Sequence, residues 1–249
     1  MVAKVKVAFT YISPFFFYFI IFANTAKSLD VIRDTELENY TYEIVSMLLK
    51  SYELSEKDLN IYFIKSNQIN AFVTGGNNIF INTELIIKSD DYREYAAVIA
   101  HELSHIINGH IFNTSIEISD LSSKALPIYL LGIISIIAGS TDSGIAGVMV
   151  GQASVSDGFT YYSRTQEASA DQAAVNILCK GGVDAKYLIS FLNILDSIQL
   201  NDLGNTENYR STHPNIENRI SWIESSMKNN KNCDFEKDLL LEKKFNLLK

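Results

Sequence analysis

The composition of the chain is that of a folded protein with a sizeable core. It has 249 residues, of which 47% are hydrophobic and 20% are charged, which is enough for one large domain or two small ones and too apolar for a disordered chain. The formal net charge of −8 argues against a nucleic-acid partner bound through a basic surface. The charge does not define a substrate, because a binding cleft need not share the sign of the whole surface.

The first 26 residues have the order of a secretory signal. Lys4 and Lys6 precede an apolar run over 7–22, and small residues gather over 23–26, as in signal peptides. The sequence therefore predicts a signal peptide at 1–26, an exported protein and one domain over 27–249. An uncleaved anchor is the alternative, because no clean cleavage site lies near Ala26, although the run is shorter than the roughly 20 residues that span a bilayer.

Two cysteines, Cys179 and Cys233, lie in the predicted exported part. An oxidising location permits a disulfide between them. Two unpaired thiols are the alternative, because separation in sequence does not give the distance in the fold.

The part of the chain before residue 83 predicts one helix and three strands. Residues 34–51 have the spacing of an amphipathic helix. Residues 59–65 predict a strand, and 69–82 predict a hairpin with its turn at 75–78. If the hairpin lies at a sheet edge, it can bind an extended peptide by β-pairing, with Asn70 and Ala71 as backbone-contact positions. The alternative is an ordinary hairpin packed under the next helix.

The next segment predicts a buried helix. Apolar residues recur at three- and four-residue steps from Tyr92 to Ile107, and no proline interrupts them. Residues 89–91 offer N-caps, Glu94 follows them closely, and Gly109 is a natural stop. Because the apolar side chains lie on nearly every side, the helix is expected in the interior of the fold.

This helix carries the residues with the clearest chemistry. His101 and His105 are four positions apart and therefore lie one turn apart on one face, where both can direct a ring nitrogen to one zinc ion. Glu102 lies beside that ion and can take a proton from water as a general base. Two structural histidines and a chance glutamate are the alternative. His110 is predicted to be a helix-end residue, because its five-residue step from His105 turns it away from the metal face.

Residues 113–158 give a weaker pattern. Their two apolar stretches, 126–138 and 144–150, are too short to cross a membrane. They fit a pair of core helices, a mobile flap beside the site with glycines as hinges, or a patch that rests on a membrane surface.

Downstream of this region, a predicted helix at 161–178 completes the metal site. It carries Glu167 and Asp171, four positions apart and so on one face. Catalytic zinc usually takes three protein ligands, so Glu167 is the predicted third ligand. Asp171 is the predicted hydrogen-bond acceptor that holds the ring of His101 or His105.

Three more helices are predicted towards the end of the chain. Two lie at 184–200 and 216–227, and the charged tail at 230–249 is expected to pack back on the domain. The tail would do so through apolar side chains along one side, namely Leu239, Leu240, Leu241 and Phe245.

Four segments together resemble a known family. They read NAFVTGGNNIFIN at 70–82, HELSH at 101–105, EASAD at 167–171 and STHP at 211–214, and Arg219 follows. They are similar to the zinc metallopeptidases that include HtpX, the CAAX prenyl proteases, Oma and BepA, over residues 34–230. The exported start makes the sequence most similar to the BepA-like periplasmic branch. The helical-repeat domain of BepA has no counterpart in these 249 residues, so BepA's partners in outer-membrane assembly are not carried over.

The resemblance implies a fold and a metal. The fold is α+β and mostly helical, with a thermolysin-like gluzincin core in which a small β-sheet with an exposed edge lies beside the active-site helix. The metal is one Zn2+ per chain. In BepA-like proteins the histidine that matches His213 can lie over the zinc in place of water, which implies a latent enzyme. Alternatively, His213 and Arg219 donate hydrogen bonds to the tetrahedral oxyanion.

The sequence therefore predicts an exported, periplasmic zinc metalloendopeptidase that cleaves unfolded or misfolded proteins in quality control. The rival prediction is a latent, chaperone-like assembly factor whose zinc is capped by His213. Contact with a membrane surface is an alternative placement for the whole protein. The sequence defines neither the natural substrate nor the oligomeric state.

Overall fold

The fold combines a small sheet with packed helices in a computed structural model that describes residues 30–74, 76–110, 156–201, 213, 216–230, 233 and 235–249. For 156–163 and 199–201 it describes the backbone only. The strands are β1 (Val31–Ile32), β2 (Asn60–Ile64), β3 (Ala71–Thr74) and β4 (Asn78–Asn82). The helices are α1 (Thr35–Leu49), α2 (Thr83–Lys88), α3 (Tyr92–Ile107), α4 (Ser156–Lys180), α5 (Lys186–Asn201), α6 (Ile216–Asn229) and α7 (Leu239–Leu248). The predicted α+β, mostly helical class is confirmed.

The described strands form one mixed sheet in the order β1-β2-β4-β3. The strand β2 runs parallel to β4, and β3 pairs antiparallel with β4 as the predicted hairpin. In the hairpin turn, Gly76 and Asn77 both have positive φ, at 80° and 56°, a conformation that glycine and asparagine tolerate best. The strand β3 is therefore an edge strand of the described sheet, and it packs beside α3.

The helix α3 lies at the centre of the described packing. It contacts α1, α4, α5 and β3, and every residue from 94 to 105 is buried. The Asp91 side chain accepts from Arg93 N–H, while the Glu94 side chain accepts from the Asp91 N–H in a reciprocal cap, so two orphan backbone donors at the helix start are satisfied. The helix ends at Ile107, and Gly109 follows it with a φ of +63°, as its predicted role as a stop requires.

The helices downstream of α3 close the core. The helix α4 is longer than predicted, and α6 packs against both α4 and α5. A disulfide joins Cys179 at the end of α4 to Cys233 beyond α6, with their Cα atoms 5.2 Å apart, which decides between the two alternatives left open by the sequence. None of the described helices is both long enough and apolar enough to cross a membrane.

The prediction for the tail was partly wrong. Leu241 and Phe245 of α7 are buried, and Phe245 packs against Tyr40 and Tyr95, but Leu239 and Leu240 are 71% and 61% exposed. The reason is geometric, because consecutive helical residues are about 100° apart around the axis, so three leucines in a row cannot share one face. The signal peptide predicted at 1–26 and nearly all of 113–158 lie outside the described residues.

Candidate metal centre

Four buried side chains converge beside the sheet edge. His101 and His105 come from α3, Glu167 comes from α4, and His213 comes from the segment before α6. Each offers one nitrogen or oxygen atom, and these atoms all lie within 4.8 Å of one another. The ligands predicted from the sequence are thus brought together, and His213 joins them.

Most pairs of donor atoms lie 3.1–3.4 Å apart. His101 Nε2 lies 3.1 Å from His105 Nε2, 3.3 Å from His213 Nδ1 and 3.4 Å from Glu167 Oε2. Glu167 Oε1 lies 3.3 Å from His105 Nε2 and 3.1 Å from His213 Nδ1. For donors about 2.0–2.1 Å from a tetrahedral zinc ion, adjacent donors are about 3.3–3.4 Å apart. The residues present therefore fit a zinc ion, with His213 Nδ1 as the fourth donor.

Glu102 lies next to this group and outside it. Its carboxylate is buried, and neither oxygen has a hydrogen-bond partner within the described residues. The nearest charged or ring group recorded is His213 Nε2, 3.4 Å from Oε1. Burial raises the pKa of Glu102, because a carboxylate is disfavoured in a dry interior. A buried carboxylate with free lone pairs beside a donor cluster is suited to accept a proton from water.

Asp171 and Arg219 lie behind the ligands. Asp171 Oδ1 is 3.0 Å from His101 Nδ1, so the ring nitrogen that faces away from the cluster meets a carboxylate. Arg219 pairs with Asp171 through Nε and Nη2 at 3.0 and 2.8 Å, and its Nη1 is 3.3 Å from Glu167 Oε2. Both residues are fully buried. The sequence left open whether Asp171 meets His101 or His105, and in the structure it meets His101.

The charges of the cluster set the pKa values of its members. Burial and Arg219 lower the pKa of His101, but the Glu167 and Asp171 carboxylates outweigh them and raise it to about 9. Burial lowers the pKa of His105 to about 3. Burial alone would raise the pKa of Glu167, but His213, Arg219 and His101 hold it well below its usual value. The cluster without a metal therefore favours a protonated His101 beside an ionised Glu167.

His110 makes a contact that the sequence reasoning missed. It is not one of the four donors, as predicted, but its Nδ1 lies 2.9 Å from His105 Nδ1. Helical spacing predicted that His110 is not a ligand, and it could not give this contact because the helix ends at Ile107 and Gly109 has a positive φ. The glycine directly before the histidine was the available signal.

The edge strand β3 reaches the same site. The Ala71 carbonyl lies 3.3 Å from His213 Nε2, whereas the Asn70 carbonyl accepts from Asn82 N–H at 3.0 Å. Backbone groups alternate in direction along an antiparallel strand. Ala71 and Val73 therefore present their backbone groups to the outer edge of the described sheet, and Asn70 presents its carbonyl to the sheet.

The sequence profile of peptidase family M48 matches residues 35–227, well over half of the chain. The chain belongs to peptidase family M48. This assignment confirms the resemblance found in the four motif segments. It also confirms, at the level of the family, the predicted class of enzyme, a metallopeptidase.

Named relatives of this M48 peptidase are distant. The Beta-barrel assembly-enhancing protease of Yersinia pestis is 26% identical over 194 residues, which cover 78% of this chain and 40% of that protein. The mitochondrial metalloendopeptidase OMA1 of Bos taurus is 26% identical, over 69% of this chain and 33% of that protein. A Protease HtpX homolog of Fusobacterium nucleatum is 27% identical, over 79% and 72%. The chain spans about two fifths of the length of the assembly-enhancing proteases that it matches.

Proposed function

We propose that this chain is an exported zinc-dependent endopeptidase that cleaves unfolded or misfolded proteins. One observation carries the proposal: His101, His105 and Glu167 present donor atoms 3.1–3.4 Å apart, and beside them lies the Glu102 carboxylate, which makes no hydrogen bond within the described residues. A zinc ion bound there would polarise the scissile carbonyl and lower the pKa of water.

Glu102 is the proposed general base and acid. It accepts a proton from the attacking water molecule and passes it to the amine nitrogen as the peptide bond breaks. Burial, which raises its pKa, makes the carboxyl group a better base and a competent acid in turn. Asp171 holds the ring of His101 by accepting its Nδ1–H.

Arg219 has a positioning role in this proposal rather than the oxyanion role expected from the sequence. Its guanidinium faces Asp171 and Oε2 of Glu167, and it is fully buried behind the ligands. There it neutralises two buried carboxylates, which would otherwise be costly to keep charged.

The edge strand β3 is the proposed binding site of the substrate backbone. An extended peptide can add to an open sheet edge and be held by main-chain hydrogen bonds of little sequence preference. The outward backbone groups of Ala71 and Val73 suit this pairing. The direction of the Asn70 carbonyl, which bonds to Asn82, favours Ala71 over Asn70 as the contact position. Low sequence preference suits a substrate class of unfolded chains.

The position of His213 favours a second candidate, a latent form of the same protein. Its Nδ1 stands where a fourth ligand would stand, and its Nε2 faces the Ala71 carbonyl of the edge strand. A site with four protein donors leaves no place for water. In this state the protein would bind unfolded clients as a chaperone-like assembly factor without cleaving them.

Export is part of the proposal and has one structural support. The Cys179–Cys233 disulfide belongs to the oxidising compartments outside the cytosol, in agreement with the signal predicted at 1–26. Three further points are proposals only. They are a periplasmic location, contact with a membrane surface, and the assembly role that the names of relatives give.

Replacing Glu102 tests the mechanism. We expect Glu102→Gln to retain bound zinc and to slow casein cleavage by on the order of 100- to 10,000-fold, because the amide cannot accept the proton. Glu224→Gln is the matched control, since Glu224 is exposed on α6, and it should cleave at the wild-type rate. Wild-type turnover by Glu102→Gln would refute the proposed mechanism.

Replacing His213 separates the two candidates. We expect His213→Ala to keep zinc, because three donors remain, and to cleave casein faster than wild type, because the fourth position is opened to water. A large loss of activity with zinc retained would instead assign His213 to oxyanion support. Zinc content measured on the same samples distinguishes either result from loss of the metal.

A further inference from the structure

A second histidine pair lies on the far side of the metal ligand His105. His110 is buried, and its Nδ1 is 2.9 Å from His105 Nδ1. The two rings are nearly perpendicular, with an interplanar angle of 74° and centroids 4.9 Å apart. This edge-on approach aims one ring nitrogen at the other.

The direction of this hydrogen bond follows from the cluster. His105 Nε2 faces His101 Nε2 and Glu167 Oε1, so it is the nitrogen that offers its lone pair to a metal. The other nitrogen, Nδ1, then carries the hydrogen. His105 Nδ1 therefore donates to His110 Nδ1, just as His101 Nδ1 donates to Asp171.

The backbone holds His110 in place between two helices. Gly109 follows α3 with a positive φ, a departure from the helical backbone directly before His110. The Gln166 side chain on α4 donates a long hydrogen bond of 3.5 Å to the His110 carbonyl. Next to it, the Asn108 side chain donates to Ser169 Oγ at 3.2 Å. The end of the helix that carries two ligands is thus tied to the helix that carries the third.

We propose that His110 is a positioning residue that fixes the ring of His105 for metal binding by accepting its Nδ1–H. The inference rests on the proposed zinc site. It gives each of the two metal-binding histidines of α3 its own acceptor, a carboxylate for His101 and a neutral imidazole for His105. Acceptors of this kind orient the ring and strengthen the ligand.

The position of the accepting atom allows a sharp test. Asn Oδ1 and Asp Oδ1 are two bonds from Cβ, as His Nδ1 is, whereas Gln Oε1 is three bonds away, as His Nε2 is. His110→Asn and His110→Asp therefore keep an acceptor in the right place. His110→Gln moves the acceptor, and His110→Phe keeps a ring without one.

The measurements are zinc affinity, by competition with a chromogenic chelator, and thermal unfolding of the zinc-stripped full chain. We expect His110→Phe and His110→Gln to weaken zinc binding by roughly 10- to 100-fold, and His110→Asn and His110→Asp to stay close to wild type. Unfolding of the stripped protein should not separate the Asn variant from the Phe variant.

Two results would overturn the inference while leaving the proposed function in place. One is wild-type zinc affinity in His110→Phe. The other is an equal loss in His110→Asn and His110→Phe, which would assign the effect to packing of the ring. If the wild-type chain itself bound no zinc, the metallopeptidase proposal would fail, and this inference would fail with it.

Discussion

The two halves of the active-site helix bury opposite kinds of side chain. The first half, from Tyr92 to Ala100, buries apolar residues apart from the capping Glu94 against α1, α5 and the sheet. The second half, from His101 to the turn at His110, buries mainly imidazoles, a carboxylate and a hydroxyl, with Leu103 as an apolar exception. Apolar burial is stabilising wherever the chain supplies neighbours, whereas each buried polar group needs a specific partner. The first half therefore supports the fold, and the second half depends on residues far away in sequence.

Removing one such distant partner should have the largest effect on stability. Arg219→Ala leaves the buried carboxylates of Asp171 and Glu167 without their guanidinium partner, and we expect the free energy of unfolding to fall by about 3–5 kcal/mol. Arg219→Lys keeps the charge but not the paired donors, so the free energy of unfolding should fall by less in this variant. Denaturant unfolding of the zinc-stripped proteins measures both.

The same pair predicts a pH dependence. Burial alone would raise the pKa of Asp171, but Arg219 and His101 lower it. The stability that this carboxylate contributes is present above its unfolded pKa and is lost as the pH falls through the folded one. The difference in the free energy of unfolding between wild type and Arg219→Ala should therefore become smaller as the pH falls. A gap that is constant with pH would contradict the assigned cause.

A change in the apolar half should affect stability without affecting the metal. Ile99 is fully buried in the core, so Ile99→Ala should cost about 2–5 kcal/mol, and Ile99→Val about 0.5–1.5 kcal/mol. Zinc affinity, measured on the folded fraction, should equal that of the wild type in both. Weaker zinc binding in Ile99→Ala would show that the two halves are not separable.

The smallest effect is expected at the turn that joins α3 to His110. Gly109 has a φ of +63°, and an added Cβ would meet no atom within 4 Å, so Gly109→Ala should cost only the strain of that φ, about 1 kcal/mol. Relief of the strain would shift His110, and zinc binding should weaken slightly. Gly182→Ala is the control, because Gly182 has a φ of 77° after α4. Gly182→Ala should lower the stability by a similar amount and leave the zinc affinity unchanged.

The same division explains what could be predicted from the sequence. The apolar half of α3, its cap at Asp91 and the hairpin follow from local spacing and turn residues, and all three predictions were confirmed. The pair His101 and His105 is also local, because four residues on a helix define a face.

The long-range parts of the site were predicted less well. Glu167 and Asp171 could be proposed only as a pair on another helix, and the choice of His101 as partner of Asp171 required coordinates. The contact of His110 with His105 depends on the positive φ of one glycine, and helical spacing cannot represent a departure from the helix. For Arg219, the motif gave proximity to zinc but not the side from which the guanidinium approaches.

The disulfide has a consequence for how the site assembles. Cys179 and Cys233 are 54 residues apart in sequence, and the covalent loop that they close contains His213 and Arg219. Closing a loop of this length restricts the unfolded chain by an amount worth about 4 kcal/mol. In a chain whose two thiols are reduced, His213, the proposed fourth zinc donor, and the buried Arg219 must reach their places without that restriction. Oxidation of the two thiols thus favours a fully assembled site.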